Sequence, residues 1–504
     1  MAKYRHGIYV NEVPTKMPVP TYGTSGIQVV IGTAPVNLVE DPTSVINKPI
    51  LIESMDDMVD KLGYQGPEKD ANGVSKFTYT LAESAYASFA LSQCAPVVMI
   101  NVLDPARHTK DLTSETVNVA NRMATLKHTG VLLDTVKVTT SADKALVRDT
   151  DYTLTFTDEG LVAIGLMSSG AAASEKTLKV TAKQLDPSKV TAEDIIGGID
   201  GDGVATGIAC VRDVYAGCHV IPATLLAPGF DDQAAVGAAL IAETKDIDGV
   251  FRAFALLSLN TGNDSGKWTV ASLKTDKDNN AYASADAAVL WPYYVKAGSD
   301  NICMHFTAVF GAGMQAQDAA PSNGDCPSNA PSNINMGITG AGFVTSEGFK
   351  ELNLNLDQAA DVNGLGIVTA CWKQGWKTAG VETSLYPNVT DVKDRFINVR
   401  RMMSWQANVF IVRYMDRLDS NISHRAIEAL VNDENIRCNA LTAQGKWAGG
   451  HIEFRDTENP ITDILAGKVR FYQYVAPFTP AKEIYDTLEY SADILKANIA
   501  GGDK

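Results

Sequence analysis

Residues 261–269, TGNDSGKWT, carry the Gly-Lys pair of a phosphate-binding loop. That chemistry needs four residues between the glycines, so that backbone amides nest round the phosphates, and a Ser or Thr after the Lys to ligate Mg²⁺. Gly262 and Gly266 enclose three residues and Trp268 follows Lys267, so the segment reads as a turn. Residues 276–287, DKDNNAYASADA, set Asp276, Asp278 and Asn280 at calcium-loop spacing. Ala281 replaces the glycine of the sharp turn, however, and Ala287 replaces the bidentate Glu. An ordinary acidic loop is the reading. In GITGAGF, 337–343, the glycines are in the wrong order for a dinucleotide fingerprint and follow a Pro-rich stretch rather than a buried strand, which suggests a flexible connection.

The remaining reactive residue types are scattered. His6, His108, His128, His219, His305, His424 and His451 show neither HExxH nor HxxxH spacing, so a metal site would have to be assembled wholly from long-range partners. No GxSxG elbow occurs. Cys94, Cys210, Cys218, Cys303, Cys326, Cys371 and Cys438 form no CxxC pair, which removes the zinc-ribbon and thioredoxin readings and leaves free thiols of a cytosolic protein. Their odd number leaves room for a cross-link between chains in an oxidising exterior, and Cys326, in a polar loop, is the candidate. Neither catalysis nor a cofactor or metal is expected.

With 504 residues, the chain exceeds what one hydrophobic core supports, so about three domains, or a core with insertions, is expected. Its 43 Lys and Arg against 59 Asp and Glu give a net charge of −16, which disfavours nucleic acid and anionic lipid as partners. No apolar run approaches the length of a membrane span or a secretory signal, so the expectation is a soluble protein made in a cytoplasm.

The elements follow from hydrophobic pattern. IQVVIGTAP from 27 and KPILIES at 48–54 are apolar on both faces and of strand length. Residues 75–95 have helical spacing, and VVMINVL at 97–103 is a third strand. Between 131 and 183 the texture becomes short Thr- and Val-rich runs parted by Asp, Gly and Ser, an all-β stretch. The α/β pattern returns with HVIPATLLAPGF, 219–230, where Asp231 or Asp232 can cap a helix carrying Val236, Leu240 and Ile247, and VFRAFALLSL follows as a strand. The β-rich part therefore reads as an insertion into one discontinuous domain. Three PSN repeats in 318–335 predict a long loop, exposed or interface-forming.

From Thr390 or Asp391 a helix of about six or seven turns is expected, with Phe396, Val399, Met403, Ala407, Phe410, Tyr414 and Leu418 on one stripe. A second helix with Ile427, Leu430 and Val431 follows, then strand-like KVRFYQYVAPF and EIYDTLEY. Residues 391–425 hold seven basic residues, Lys393, Arg395, Arg400, Arg401, Arg413, Arg417 and Arg425, against four acids. Two readings stay open: a solvated face with pairs such as Arg413 to Asp416, or docking onto an acidic protein partner. At the other end, KYRHGIYVNEVPT, residues 3–15, reads as a strand with Ile8, Tyr9, Val10 and Glu12, which ends at Pro14 and must join a sheet to satisfy its backbone.

HGIYVNEVPT, VVIGTAP, NKPILI, DPSKVTAEDIIGG and PATLLAPGF, followed by NLNLDQAADVNGLGIV, GWKTAG, FINVRRMM and GKVRFYQYVAPFTPAKEI, form an ordered series over nearly the whole chain. In that series the chain resembles the contractile phage tail sheath proteins of the Mu-like myophage type, and the sheaths of phage-tail-like particles. The resemblance implies a multidomain mixed α/β fold in five parts: an N-terminal arm 1–20, a discontinuous core sheath domain 21–104 and 219–375, a β-rich insertion 105–218, a C-terminal inner domain 376–480 and a C-terminal arm 481–504. It implies hexameric rings stacked helically round a tail tube, baseplate and tail terminator partners, assembly in the host cytoplasm, a place in the virion, and contraction that ejects the genome through the host envelope. Arm strands carrying Ile8, Tyr9, Val10 and Glu12, and Ile484, Tyr485, Leu488 and Tyr490, would add to sheets of neighbouring subunits; His6 would then be a contact in that joint. Lys393, Arg400, Arg401, Arg413 and Arg417 would face an acidic tube. A non-contractile tube or surface-layer protein, and an α/β enzyme with a β insertion, are the alternatives.

Overall fold

The computed structural model describes residues 21–499. The apolar strands assemble one eight-stranded sheet in the order Trp376–Ala379, Ile367–Trp372, Ala287–Leu290, Phe254–Ser258, Thr224–Leu226, Gln28–Gly32, Val97–Asn101, Pro49–Ile52. The inner strands run parallel and the two edge strands antiparallel. Parallel strands are covered on both faces, which is why Val29, Val30, Ile31, Leu225, Leu256 and Val289 are all buried. KPILIES differs from expectation: as the antiparallel edge strand it is only half-buried over most of its length. Thr224 lies beside Gln28, so the chain leaves this sheet after Asn101 and returns to its middle about 120 residues later.

The excursion holds two antiparallel three-stranded sheets, one of Thr109–Asn118, Lys137–Thr140 and Thr177–Leu185, the other of Met123–Thr125, Tyr152–Phe156 and Val162–Leu166. They close over their own hydrophobic cluster, with Val117, Val138, Ile164, Leu178 and Val180 at its centre. From Leu185 onward, Val190, Ile195, Ile208, Val211 and Val214 belong to the main core instead. The separately packed β part therefore stops short of residue 218, because the apolar residues after 185 need the larger sheet to cover them. Likewise Trp376–Ala379 is a strand of the main sheet, so residue 376 does not start a new body.

Three local expectations change. The helix in 75–95 runs from Thr80 to Ala85 and continues as a wider π turn to Leu91. DKDNN is the end of helix Val270–Asn279, where Asp278 pairs with Lys274 at 2.5 Å, and not a loop. GITGAGF is a central strand, Ile338–Thr345, of a second, six-stranded sheet. A Cβ at Gly342 would lie 2.2 Å from the Lys350 carbonyl oxygen, so these glycines allow close strand packing and do not supply flexibility.

Asp231 and Asp232 cap no helix: Ala234–Glu243 begins at Gln233 without a side-chain bond. Both carboxylates turn inward at the carboxyl ends of the central strands. Asp231 is wholly buried, accepts from Ser258 Oγ, and its carbonyl accepts from Tyr282. Asp232 accepts from Tyr293 and Asn260, and His305 meets Glu83 at 2.7 Å beside them. Burial first, then Asp232, push the Asp231 carboxyl up to about 7, against Ser258, Thr307 and His305. Its Oδ2 and Thr307 Oγ1 are both buried without a hydrogen-bond partner among the described residues. Burial lowers the His305 pKa, but Glu83 and the two aspartates outweigh it and raise it.

Both raised groups hold protons more tightly when folded. Their stabilisation is complete below the unfolded pKa values and is lost as pH climbs, for Asp231 between about 4 and about 7. Asp231→Asn keeps a neutral donor there. It should raise stability by only about 1 kcal/mol at pH 4.5 and by on the order of 4 kcal/mol at pH 8 relative to the parent. Equal effects at both pH values would contradict this.

Candidate assembly surfaces

Among the described residues no group of His, Cys, Asp and Glu is arranged to hold a metal ion, and no helix is long and apolar enough to cross a membrane. What stands out chemically is the C-terminal part, where helices Ile397–Tyr414 and His424–Ala443 carry a two-stranded ribbon, Trp447–Phe454 with Phe471–Pro477. Ser423 Oγ accepts from the Ala426 amide and starts the second helix.

The expected single long helix from 390 breaks. Val392–Arg395 is one turn, Phe396 is extended, and the long helix starts at Ile397. Of the predicted apolar stripe, Phe396 and Val399 are buried, Met403, Ala407, Phe410 and Tyr414 half-buried and Leu418 exposed, while the polar Asn398, Arg401, Ser404, Gln406 and Asn408 are also inside. The helix lies between the core and the ribbon, so polar side chains point both ways, and Asn398, Arg401, Gln406 and Asn408 find partners there. Asn408 brackets Arg252, accepting from its amide at 2.9 Å and donating to its carbonyl at 2.7 Å. Gln406 donates to Glu434 at 2.9 Å and to Gln473 at 3.1 Å, which ties both helices to the ribbon.

The same placement corrects the basic surface. Arg401 is 4% exposed and donates bidentately to Asp318, itself 1% exposed, on helix Phe306–Ala319. Arg400 is held by Asp286 at 2.5 Å and Asp394 at 3.3 Å. Arg401 is closed off from any partner and Arg400 is half-buried; both fasten this helix to the core, because a guanidinium taken from water needs a carboxylate at bonding distance. Lys393, Arg413 and Arg417 remain exposed. Lys393 pairs with Asp391 and Asp394, and Arg413 forks onto Asp433 of the next helix at 3.0 and 3.1 Å, not onto Asp416. Lys393 lies in the turn before the long helix and Arg417 in the turn after it, with the 18 residues of Ile397–Tyr414 between them spanning about 27 Å at about 1.5 Å per residue, so the three form no single patch.

Cys326 is also corrected. It is 1% exposed, its Sγ 3.3 Å from Met402 Sδ, in a small cluster with Cys438 and Trp447. Burial pushes its thiol up to about 12, so neither access nor thiolate favours a cross-link between chains. The polar loop around it is packed down at Asn323, at 326–328 and at Pro331, while Ser322, Gly324, Asn329 and Asn333 stay exposed.

Both chain ends are anchored where they reach the body. The Asp325 carboxylate accepts from the amides of Thr24 and Ser25 at 2.9 Å and from the Thr24 hydroxyl. Gly23 passes so close to Ala319 that a Cβ would stand 2.4 Å from the alanine methyl. Ile8, Tyr9, Val10 and Glu12, with His6 and Pro14, lie outside the described residues. At the other end the Phe478 carbonyl accepts from Asn398 at 2.9 Å, and Lys482 meets Glu382 at 2.8 Å. Beyond this no ladder forms among the described residues: Ile484, Tyr485, Leu488 and Tyr490 are 79–90% exposed, and helix Ala492–Ile499 follows with Ile494 and Ile499 uncovered.

The ribbon complements this loose segment. Among the described residues its two strands pair only with each other; the outer edge of Trp447–Phe454 is closed at Ile452, whose amide donates to Asn435 at 2.9 Å and whose carbonyl accepts from it at 3.0 Å, which leaves the outer edge of Phe471–Pro477 open. Phe471, Gln473 and Val475 turn towards the helices while Tyr472 and Tyr474 face out, with the Arg455 guanidinium 4.0 Å over the Tyr472 ring. Exposed edges with unpaired amides and carbonyls are templates for another strand.

No family model matches the chain. Among known proteins, it is 26% identical over 502 residues to the tail sheath protein of Burkholderia phage BcepMu, covering 96% of this chain and 97% of that one. It is 22% identical over 303 residues to the major tail sheath protein of Serratia phage KSP20, covering 59% and 71%. Its fold matches a chain of the anti-feeding prophage baseplate with a TM-score of 0.57 at 14% identity, covering 97% of this chain and 100% of that one. The contracted helical sheath of the same prophage gives 0.54 at 13% identity, covering 97% and 99%. Over nearly its whole length, the chain is similar in sequence to a phage tail sheath protein and shares the fold of a chain in a contracted helical sheath.

Proposed function

We propose that this protein is the sheath subunit of a contractile tail, which polymerises as helically stacked hexameric rings round an inner tube and contracts to drive that tube through a host envelope for genome ejection. It would assemble in the host cytoplasm, stay in the virion, and meet the tube, baseplate and tail terminator proteins besides its own copies. It carries out no catalysis in this role. The parts would be an arm 1–20, a discontinuous core, a β insertion after 104, the C-terminal helices with their ribbon, and an arm from 481. Lys393, Arg413 and Arg417 are left as the exposed candidates for an acidic tube.

The observation that carries the reading is residues 484–490, a β-prone segment with no strand partner among the described residues, in a chain whose ribbon leaves the edge of Phe471–Pro477 open. Added antiparallel to Phe471–Pro477 of a neighbour, seven residues meet seven. Side chains alternate across a strand, so Ile484, Leu488 and Tyr490 would turn to the neighbour's helices and Tyr485 to the Tyr472 and Tyr474 face. Five or six main-chain bonds at about 0.5–1.5 kcal/mol each would hold the joint while the bodies rotate. Head-to-tail contacts that do not close on themselves give a helical tube. Negative-stain microscopy of the purified protein is the test: long striated tubes support it, monodisperse globules refute it, and flat sheets point to a surface layer.

A further inference from the structure

We propose that helix Ala492–Ile499 is a docking plug, which seats in an apolar groove of a second copy of this chain at the far end of that copy's ribbon. The inference rests on the strand addition just described and extends it to the residues that follow.

The groove encloses about 630 Å³ between the end of helix Ile397–Tyr414, the start of helix His424–Ala443 and the approach to Phe471. Phe410, Tyr414, Ile422, Ile427, Leu430 and Phe471 line it. Leu418 on its rim is 72% exposed and Ile422 41%, so in the single subunit much of this apolar surface faces water. Such a surface marks a contact yet to be made.

The helix is its counterpart. At about 100° per residue, Ile494, Leu495 and Ile499 fall within roughly 140° of one side, and Asp493, Lys496 and Ala497 take the other. Asn498 is the one polar residue on the apolar side, and the groove offers it Ser420 and Asn421. Ile494 and Ile499 are 73% and 75% exposed, and the helix is too short to persist in water without a surface to cover them. The groove rim carries Arg417 and Asp419, opposite in sign to Asp493 and Lys496 of the helix.

Register joins the two. When Ile484–Tyr490 runs antiparallel along Phe471–Pro477, Tyr490 comes level with Phe471, and Ser491 hands the chain to the helix where the groove opens. A parallel strand would deliver the helix to the Pro477 end, roughly 20 Å away at about 3.3 Å per residue. The chain's own groove is not the target, since Asn398 and Lys482 fix its exit against the core and residues 484–490 lie uncovered.

Full-length protein carrying L418C and I499C, oxidised mildly after assembly, should give a ladder of covalent multimers on a non-reducing gel. Unassembled protein and either single variant should give none. A chain ended after Ser491 should still form tubes, with the critical concentration raised at least about tenfold. Tubes without a ladder, a cross-link within one chain, or an unchanged critical concentration would overturn the docking while leaving strand addition intact. Tubes formed by a chain ended after Lys482 would instead overturn strand addition.

Discussion

Replacing Arg401 by leucine should lower the unfolding free energy by about 3–5 kcal/mol, because it strands the buried Asp318 carboxylate without a partner. The pair is closed from every side: Asp318 is 1% exposed, and a Cβ at Gly26 would lie 2.8 Å from its Oδ2. The double variant Arg401→Leu with Asp318→Leu should recover most of the loss, since two apolar side chains of similar bulk replace two desolvated charges. Arg400 is the control. It is less deeply buried and its partner Asp286 keeps Lys245 at 3.5 Å, so Arg400→Leu should cost about half as much or less. Urea unfolding of the unassembled subunit measures all three. A single Arg401 variant within about 1 kcal/mol of the parent would show that the helix is not fastened there.

Ending the chain after Lys482, or removing residues 1–15, should abolish tubes and leave a subunit that unfolds like the parent. Residues 484–490 cover nothing on their own body, so their loss should change its stability by less than about 0.5 kcal/mol. In the polymer the same residues supply main-chain bonds and three apolar side chains worth about 1.5–3 kcal/mol each when fully buried. Their removal should therefore raise the critical concentration by more than about a thousandfold, beyond reach in solution. Sedimentation and microscopy of the truncated chains test this, and persistent tubes would contradict it.

The main sheet was legible because buried parallel strands have no alternation to disguise: VVIG, VVMIN and FALLS are apolar at every position or nearly so. The β excursion was legible in its Thr- and Val-rich runs, but its end was not. Ile195, Ile208 and Val211 look alike whichever core they join, and only the fold shows that they cover the larger sheet. The basic helix misled for a related reason. Charge along a sequence does not report what lies opposite, and Asp286 and Asp318, which take up Arg400 and Arg401, are more than 80 residues away. Cys326 sat in a Pro, Ser and Asn stretch whose composition says loop but not whether the loop is covered. EIYDTLEY has the pattern of a strand but is unpaired and uncovered in the single subunit, and the ribbon edge proposed to take it was not legible in the sequence.

The central claim is that residues 484–490 become a strand in a neighbour's ribbon. Amide hydrogen exchange followed by mass spectrometry tests it at those peptide groups. In the unassembled subunit the amides of 484–490 should exchange as fast as an open chain. In tubes they should slow by at least about a thousandfold, together with those of the open edge of 471–477, because ladder bonds must break before exchange. If 484–490 exchanges as fast in tubes as in the free subunit, the strand is not there and the account fails.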